Sequence, residues 1–226
     1  MSTISQQISN HLKVLLFTAP LLIPLVAFWL VPFGYSIYIS FTDWDYISPE
    51  YDFIGLENYQ YMVEDFEFTQ ALINTFWFSL GVVIPTVVLG LIFALLLHKN
   101  FAGSQFYRAV IFSPWITPTV AVSIVWSWVF ESKSGLANQI LMSMGFDKIA
   151  WLEQGDTAMV AVIIVTIWQA IGWTMLFYIS ALNKIPSSLY EASLIDGCSS
   201  LTRFFKITLP LVSVSYTHLT LPTRDD

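Results

Sequence analysis

Residues 158–182 read AMVAVIIVTIWQAIGWTMLFYISAL, and no Asp, Glu, Lys or Arg occurs anywhere from 157 to 183. A helix needs about 20 mostly apolar residues to cross the hydrocarbon core of a bilayer. This stretch supplies them. Three further runs, 14–42, 68–98 and 109–130, are equally free of charge, with cores such as NTFWFSLGVVIPTVVLGLIFALLLH at 74–98. Nothing alternates apolar and polar over ten-residue segments, which excludes a strand-built barrel. Four spans are predicted, at roughly 13–41, 74–98, 107–130 and 158–182.

Composition points the same way. The chain has 226 residues, 56% hydrophobic and 11% charged, with nine Trp and eighteen Phe. An ordinary soluble domain carries about 25% charged residues, so a soluble enzyme is excluded and an all-α, multi-span transmembrane bundle is expected, with the lipid bilayer as its first partner. Pro20, Pro24, Pro32, Pro85, Pro114 and Pro118 fall inside the apolar runs. Neighbouring helices and water can satisfy the carbonyls that prolines free within a membrane. The first run is too long for a cleavable leader and lacks a small-x-small site after it, so it is read as a retained span. A net charge of −7 speaks against nucleic acid as partner. The single cysteine, Cys198, excludes an intrachain disulfide and a cysteine-based zinc cluster.

Orientation follows from Lys and Arg. With the N-terminus inside, Lys13, Lys99, Arg108, Lys184, Arg203 and Lys206 fall on the inner side, and only Lys133 and Lys148 on the outer. The positive-inside rule selects that arrangement. Eight acids crowd the first outer loop between 43 and 67. A calcium loop needs acids at alternating positions, a turn glycine and a closing Glu. DWDYISPEYDFIGLE (43–57) lacks that order and reads as a solvated cap, with Trp44, Tyr46, Tyr51, Tyr59 and Tyr61 as interfacial aromatics.

Signatures of covalent chemistry are missing. There is no GxxxxGK[ST] phosphate loop, no GxSxG elbow, and His11, His98 and His218 stand apart from one another without ligand spacing. The four runs hold no carboxylate for a proton relay. The sequence calls for no cofactor and no metal.

The informative polar segment is IPSSLYEASLIDGCSSLTRFFKITLP, 185–210. Ser188 and Glu191 have the S-x-x-E spacing of a capping box, and Gly197 stands where a left-handed residue ends a short helix over 189–195. Ser199 or Ser200 can cap a second helix reaching Lys206, with Pro210 opening the next segment. This is a helix–turn–helix on the basic side, shaped either to dock a partner or merely to join two spans. Glu191 is either a capping carboxylate or a direct contact to that partner. Cys198 fills a small-residue slot beside Gly197.

Glu191-Ala192-Ser193, three residues, Gly197, nine residues and then Ile207-x-Leu209-Pro210 resemble the EAA motif of ABC-importer permease subunits, with Ser193 in place of the second Ala. Phe53-Ile54-Gly55-Leu56-x-Asn58-Tyr59, Ala71-Leu72-x-Asn74-Thr75, Tyr107-Arg108 and Trp168-Gln169 with Gly172 extend the likeness to the carbohydrate type, over about 12–211. The resemblance implies a cytoplasmic coupling loop at 185–210, in which Glu191, Ala192, Ser193, Asp196, Gly197, Ile207, Leu209 and Pro210 meet an ATPase. It further implies a multi-pass protein of the bacterial inner membrane that is not itself an enzyme. The implied partners are a second permease subunit, two cytoplasmic ABC ATPase subunits and an extracytoplasmic solute-binding protein.

Such permeases usually have six spans, two of them after the EAA loop. The run from 207 to 223 is too polar and too short to supply them. The expectation is therefore a permease domain at 1–211 that stops early, followed by a non-native tail at 212–226.

Charge-free spans suit a neutral solute such as a sugar, gripped by aromatic faces and amide or hydroxyl groups. Gln169, Trp173 and Tyr178 are the candidates. Gln169 and Trp173 lie four apart on one helix face, where interhelical packing is the competing role. A secondary transporter, or a scaffold that only docks a cytoplasmic partner, would also span the membrane. Neither intramembrane ion sites nor repeated halves are visible to support the former.

Overall fold

The computed structural model describes residues 2–99 and 101–218, with side chains described over 13–99 and 101–213. The last eight positions of the expected tail, 219–226, lie outside the described residues. The described chain is helical, apart from turns and one isolated antiparallel bridge between Thr42 and Phe53. It divides into two compact units, Met1–Asn74 and Thr75–Asp226.

In the first unit, α1 (Ser2–Leu25) passes through a π-helical turn (Val26–Leu30) into α2 (Val31–Ile39). The amide of Val31 donates to Val26 O across that wider turn, and Pro32 comes directly after. A proline lacks its own N–H and crowds the carbonyl four residues back; an inserted π turn absorbs both costs locally. After α2 the chain folds back. Ile54 and Gly55 amides both donate to Phe41 O, and Gly55 takes φ +65°. Asn58, at the start of α3 (Glu57–Glu64), donates from Nδ2 to Ser40 O at 3.1 Å and to Thr42 O at 2.7 Å, so it closes the carbonyl end of α2. Within the loop, Asp45 accepts from the amides of Ile47 and Ser48 and from the Ser48 hydroxyl. These bonds hold its carboxyl below the usual range.

Helix α4 (Phe66–Leu97) is followed in the second unit by α5 (Ser104–Ile116), α6 (Thr119–Val129), α7 (Leu136–Ser143) and α8 (Gly155–Asn183). The short helices α9 (Ser187–Ile195) and α10 (Ser200–Arg203) come next, then a second π turn (Phe204–Thr208) and α11 (Leu209–His218). Again the π turn immediately precedes a proline: Leu209 N donates to Phe204 O, and Pro210 is next. Apolar packing gathers Ala94 and Leu97 of α4, Met175, Tyr178, Ile179, Ala181 and Leu182 of α8, and Val212 of α11. Glycine lets the helices approach. A Cβ on Gly172 of α8 would stand 2.3 Å from Ile111 O and 2.6 Å from Phe112 Cα of α5, and one on Gly90 2.6 Å from the Thr174 methyl. Backbone contact at such positions is a usual means of packing membrane helices.

Among the described residues, three helical segments are long and apolar enough to cross a membrane: Lys13–Ile39, Phe66–Leu97 and Gly155–Asn183. The third predicted span, 107–130, is not one straight helix. Its halves, Ser104–Ile116 and Thr119–Val129, meet at 98°, a broken span or a re-entrant loop. Pro118 disfavours helical geometry at the residue before it, and Thr117 is extended at φ −77°, ψ 132°. Pro114, four residues earlier, stays within α5.

Candidate functional site

The segment after α8 forms two helices about a turn and differs from the sequence reading at both ends. Helix α9 starts earlier, and α10 does not end at Lys206 but gives way at Phe204 to the π turn and continues into α11. Pro186, at φ −60° and ψ 134°, is the residue that begins α9, and no side chain caps that end. Ser188 therefore lies inside the helix, and the Ser188–Glu191 capping box does not form. The proline has already set the entry angle. Among the described residues the Glu191 carboxylate makes no hydrogen bond, and its side chain is exposed.

The turn is closed as the sequence expects. Gly197 adopts φ +68°, its amide donates to Leu194 O at 3.1 Å, and the Cys198 amide donates to Ser193 O at 2.9 Å. That pair of bonds around a left-handed residue is a Schellman ending, and glycine is the residue that adopts it without Cβ strain. Ser193 is buried, with its hydroxyl on Tyr190 O. Ser199 caps α10, accepting from Thr202 N at 3.2 Å. Leu194, Ile195 and Leu201 lie around the turn at 60%, 87% and 72% exposure. Ala192 and Asp196 are exposed beside them, Ile207 is half-buried, and Leu209 and Pro210 are exposed where α11 begins.

The three pathway candidates separate. Gln169 lines a cleft of about 310 Å³ between α6 and α8, with Thr119, Ser123, Trp126, Ser127 and Thr166. The Ser123, Ser127 and Thr166 hydroxyls donate to Thr119 O, Ile124 O and Val162 O of their own helices. With those protons committed, the oxygens offer lone pairs. Trp173, one turn on, stacks at 5.2 Å on Trp115 and meets Phe112 and Phe177. Tyr178 does not join either group: it is buried in the apolar core with Met175 and Val212. A tyrosine in an apolar helix gives no sign in sequence of which face will be covered.

Two residues organise the site's surroundings through contacts that the sequence did not indicate. Arg108 of α5 donates from Nε to Leu97 O at 3.0 Å, and from Nη2 to Leu97 O and, at 3.2 Å, to His98 O. A cation on the last carbonyls of α4 satisfies orphan acceptors and opposes the helix dipole. Asn138 of α7 is fully buried and holds the loop that leads to α8.

Apolar helices of spanning length, packed through glycines beside a charge-free cleft, define a multi-pass membrane protein. The chain belongs to the family of binding-protein-dependent transport system inner membrane components, whose sequence profile matches residues 86–218. It is 35% identical to a probable ABC transporter permease protein of Bacillus subtilis, covering 89% of this chain and 70% of that one. It is 34% identical to the diacetylchitobiose uptake system permease protein of Streptomyces coelicolor, over 94% and 66% respectively. The chain thus spans about two thirds of the length of the curated relatives it matches. Its fold is similar to a chain in the crystal structure of a bacterial alginate ABC transporter in complex with an alginate pentasaccharide-bound periplasmic protein. That likeness has a TM-score of 0.77 at 20% identity, covering 95% of this chain and 72% of the other.

Proposed function

We propose that this chain is a permease subunit of an ATP-driven importer and forms part of the pathway for a sugar or related neutral solute handed over by an extracytoplasmic binding protein. In this reading it pairs with a second permease subunit, and two cytoplasmic ABC ATPase subunits hydrolyse ATP. The N-terminus and the 185–210 loop face the cytoplasm, in keeping with the six-to-two distribution of Lys and Arg.

The observation that carries the reading is the Gly197 turn. A hydrogen-bonded corner presents three exposed apolar side chains, Leu194, Ile195 and Leu201, next to an unengaged Glu191 carboxylate. A polar connecting loop has no use for such a surface, whereas a docking knob does. Docked in an ATPase cleft, α9 moves with that subunit, and the helices joined to it follow as rigid bodies.

The α6–α8 cleft favours a neutral polyol. Its serine and threonine oxygens accept hydrogen bonds, Gln169 can donate, and no cation is present among its lining residues to pair with an anion. Trp126 supplies an aromatic surface in the same cleft. Replacing Gly197 with valine in the assembled importer tests the coupling half: the protein should insert in the membrane but lose ATPase copurification. Retained copurification and uptake would overturn it. Gln169→Ala should raise the KM for sugar uptake about tenfold while hydrolysis persists, and an unchanged KM would remove Gln169 from the pathway.

A further inference from the structure

The Tyr190 hydroxyl and Thr208 Oγ1 are 3.1 Å apart. They lie 18 positions apart in sequence, one on α9 and the other the last residue of the π turn that leads into α11. Thr208 is buried and Tyr190 half-buried. Ser193 of the same helix is also buried, and α9 joins the chain through the Pro186 entry on one side and the Gly197 turn on the other. Both are chain connections about which a short helix can swing.

From this geometry we infer that the Tyr190–Thr208 pair is a positioning strut, through which displacement of α9 is delivered to the start of α11 rather than lost in the Gly197 turn. The inference rests on the coupling role proposed for α9 in the importer. The strut ends where α11 is most able to respond. Beside it, Pro210 supplies no amide and Leu209 bonds to Phe204 O across the wider turn, so the helix already departs from i→i+4 bonding there. Four residues beyond Thr208, Val212 is buried among Ala94, Leu97, Met175 and Leu182 of α4 and α8. A push on Tyr190 therefore reaches the packed ends of the two long helices through one hydrogen bond and one turn of helix. Without the hydroxyl pair, α9 keeps its surface for a partner and its Schellman turn, but it pivots.

The test uses the importer assembled with its ATPase and binding protein in proteoliposomes, comparing Tyr190→Phe, Thr208→Val, Thr208→Ser and the double variant Tyr190→Phe/Thr208→Val. Copurification of the ATPase, read first, tests the coupling role itself: if even the unaltered chain fails to bind an ATPase, that role fails whatever the strut does. On complexes that copurify, solute imported per ATP hydrolysed should fall about fivefold for Tyr190→Phe and for Thr208→Val. It should stay near wild type for Thr208→Ser, which keeps the hydroxyl, and the double variant should be no worse than either single. Wild-type stoichiometry in the double variant overturns the strut. So does loss of ATPase copurification in Tyr190→Phe, which would place the hydroxyl on the docking surface instead.

Discussion

The indole N–H of Trp151 donates to Asn138 Oδ1 at 3.1 Å, across 13 positions of sequence. The same oxygen accepts from Ile149 N at 3.0 Å, and Nδ2 donates to Ser132 O and Ile149 O at 3.0 and 2.9 Å. One buried amide thereby saturates all four of its positions and fastens both sides of the segment between α6 and α8 to α7. Asn138→Ala strands several of these partners at about 1–3 kcal/mol each if they stay buried. Asn138→Asp keeps the acceptors but removes both donors. Both variants should melt several degrees lower in detergent and lose amide protection at Ile149. Unchanged exchange there would show that the loop is held by other contacts.

Gly172 predicts a steric effect. A Cβ there would overlap the Ile111 carbonyl, and backbone cannot yield as a side chain end can. Gly172→Ala should force α5 and α8 apart and lower expression and melting temperature, by about 2 kcal/mol or more as overpacking does. Gly34→Ala is the control, since nothing lies within 4 Å of its position. Equal behaviour of the two variants would contradict the observed approach.

Arg108 predicts a geometric effect. Hydrogen bonds from a charged donor contribute about 1.5–3 kcal/mol, and the planar guanidinium reaches two carbonyls at once. Arg108→Lys keeps the charge and should recover only part of the stability lost in Arg108→Gln. Equivalent melting of Lys and Arg forms would reduce the interaction to charge alone.

Glu131 gives a pH signature. Its carboxylate accepts from the Lys133 and Ser134 amides and the Ser134 hydroxyl, and these bonds hold its pKa below the ordinary 4.5. A depressed acid contributes stability that is present above its unfolded pKa and is lost as pH falls through the lower folded value. Protection of the Lys133 and Ser134 amides should therefore be pH-independent near neutrality and collapse below about pH 4.5. In Glu131→Gln that acid step should be absent. A collapse at unchanged pH in the variant would assign it to another group.

The helices were legible where a single segment decides the outcome. Charge-free length marked the long helices, and Gly197 marked its turn because a left-handed residue between two helical patterns needs little else. Pro118 was visible, but its consequence was not: in an apolar run Pro114 and Pro118 look alike, and only the latter coincides with an extended residue. The capping box failed because Pro186 had already begun the helix. Asn138, Arg108 and Tyr190 act across 10 to 18 positions of sequence. No local periodicity encodes such pairings. The burial of Tyr178 was illegible for the same reason, since Ala94, Leu97 and Val212 of its core cluster come from other helices.

The 98° bend leaves a sharp topological question that labelling can answer. Cysteines introduced singly at Glu57, Ala102 and Gln154, after Cys198→Ala, all occupy exposed positions. Ser104 would be a poor probe because it is 3% exposed. With the N-terminus inside and α5–α6 acting as one broken span, Glu57 and Gln154 should react with an impermeant thiol reagent in intact cells, and Ala102 only after the membrane is opened. The Lys and Arg distribution favours this outcome, because Lys99 and Arg108 flank Ala102 while the 43–67 loop has no basic residue. If α5–α6 is instead re-entrant, Gln154 shares the side of Ala102. Helix α8 then runs the other way, and the Gly197 turn emerges outside, where no ATPase can reach it. Protection of Gln154 together with Ala102 would therefore overturn the coupling role as well as the span.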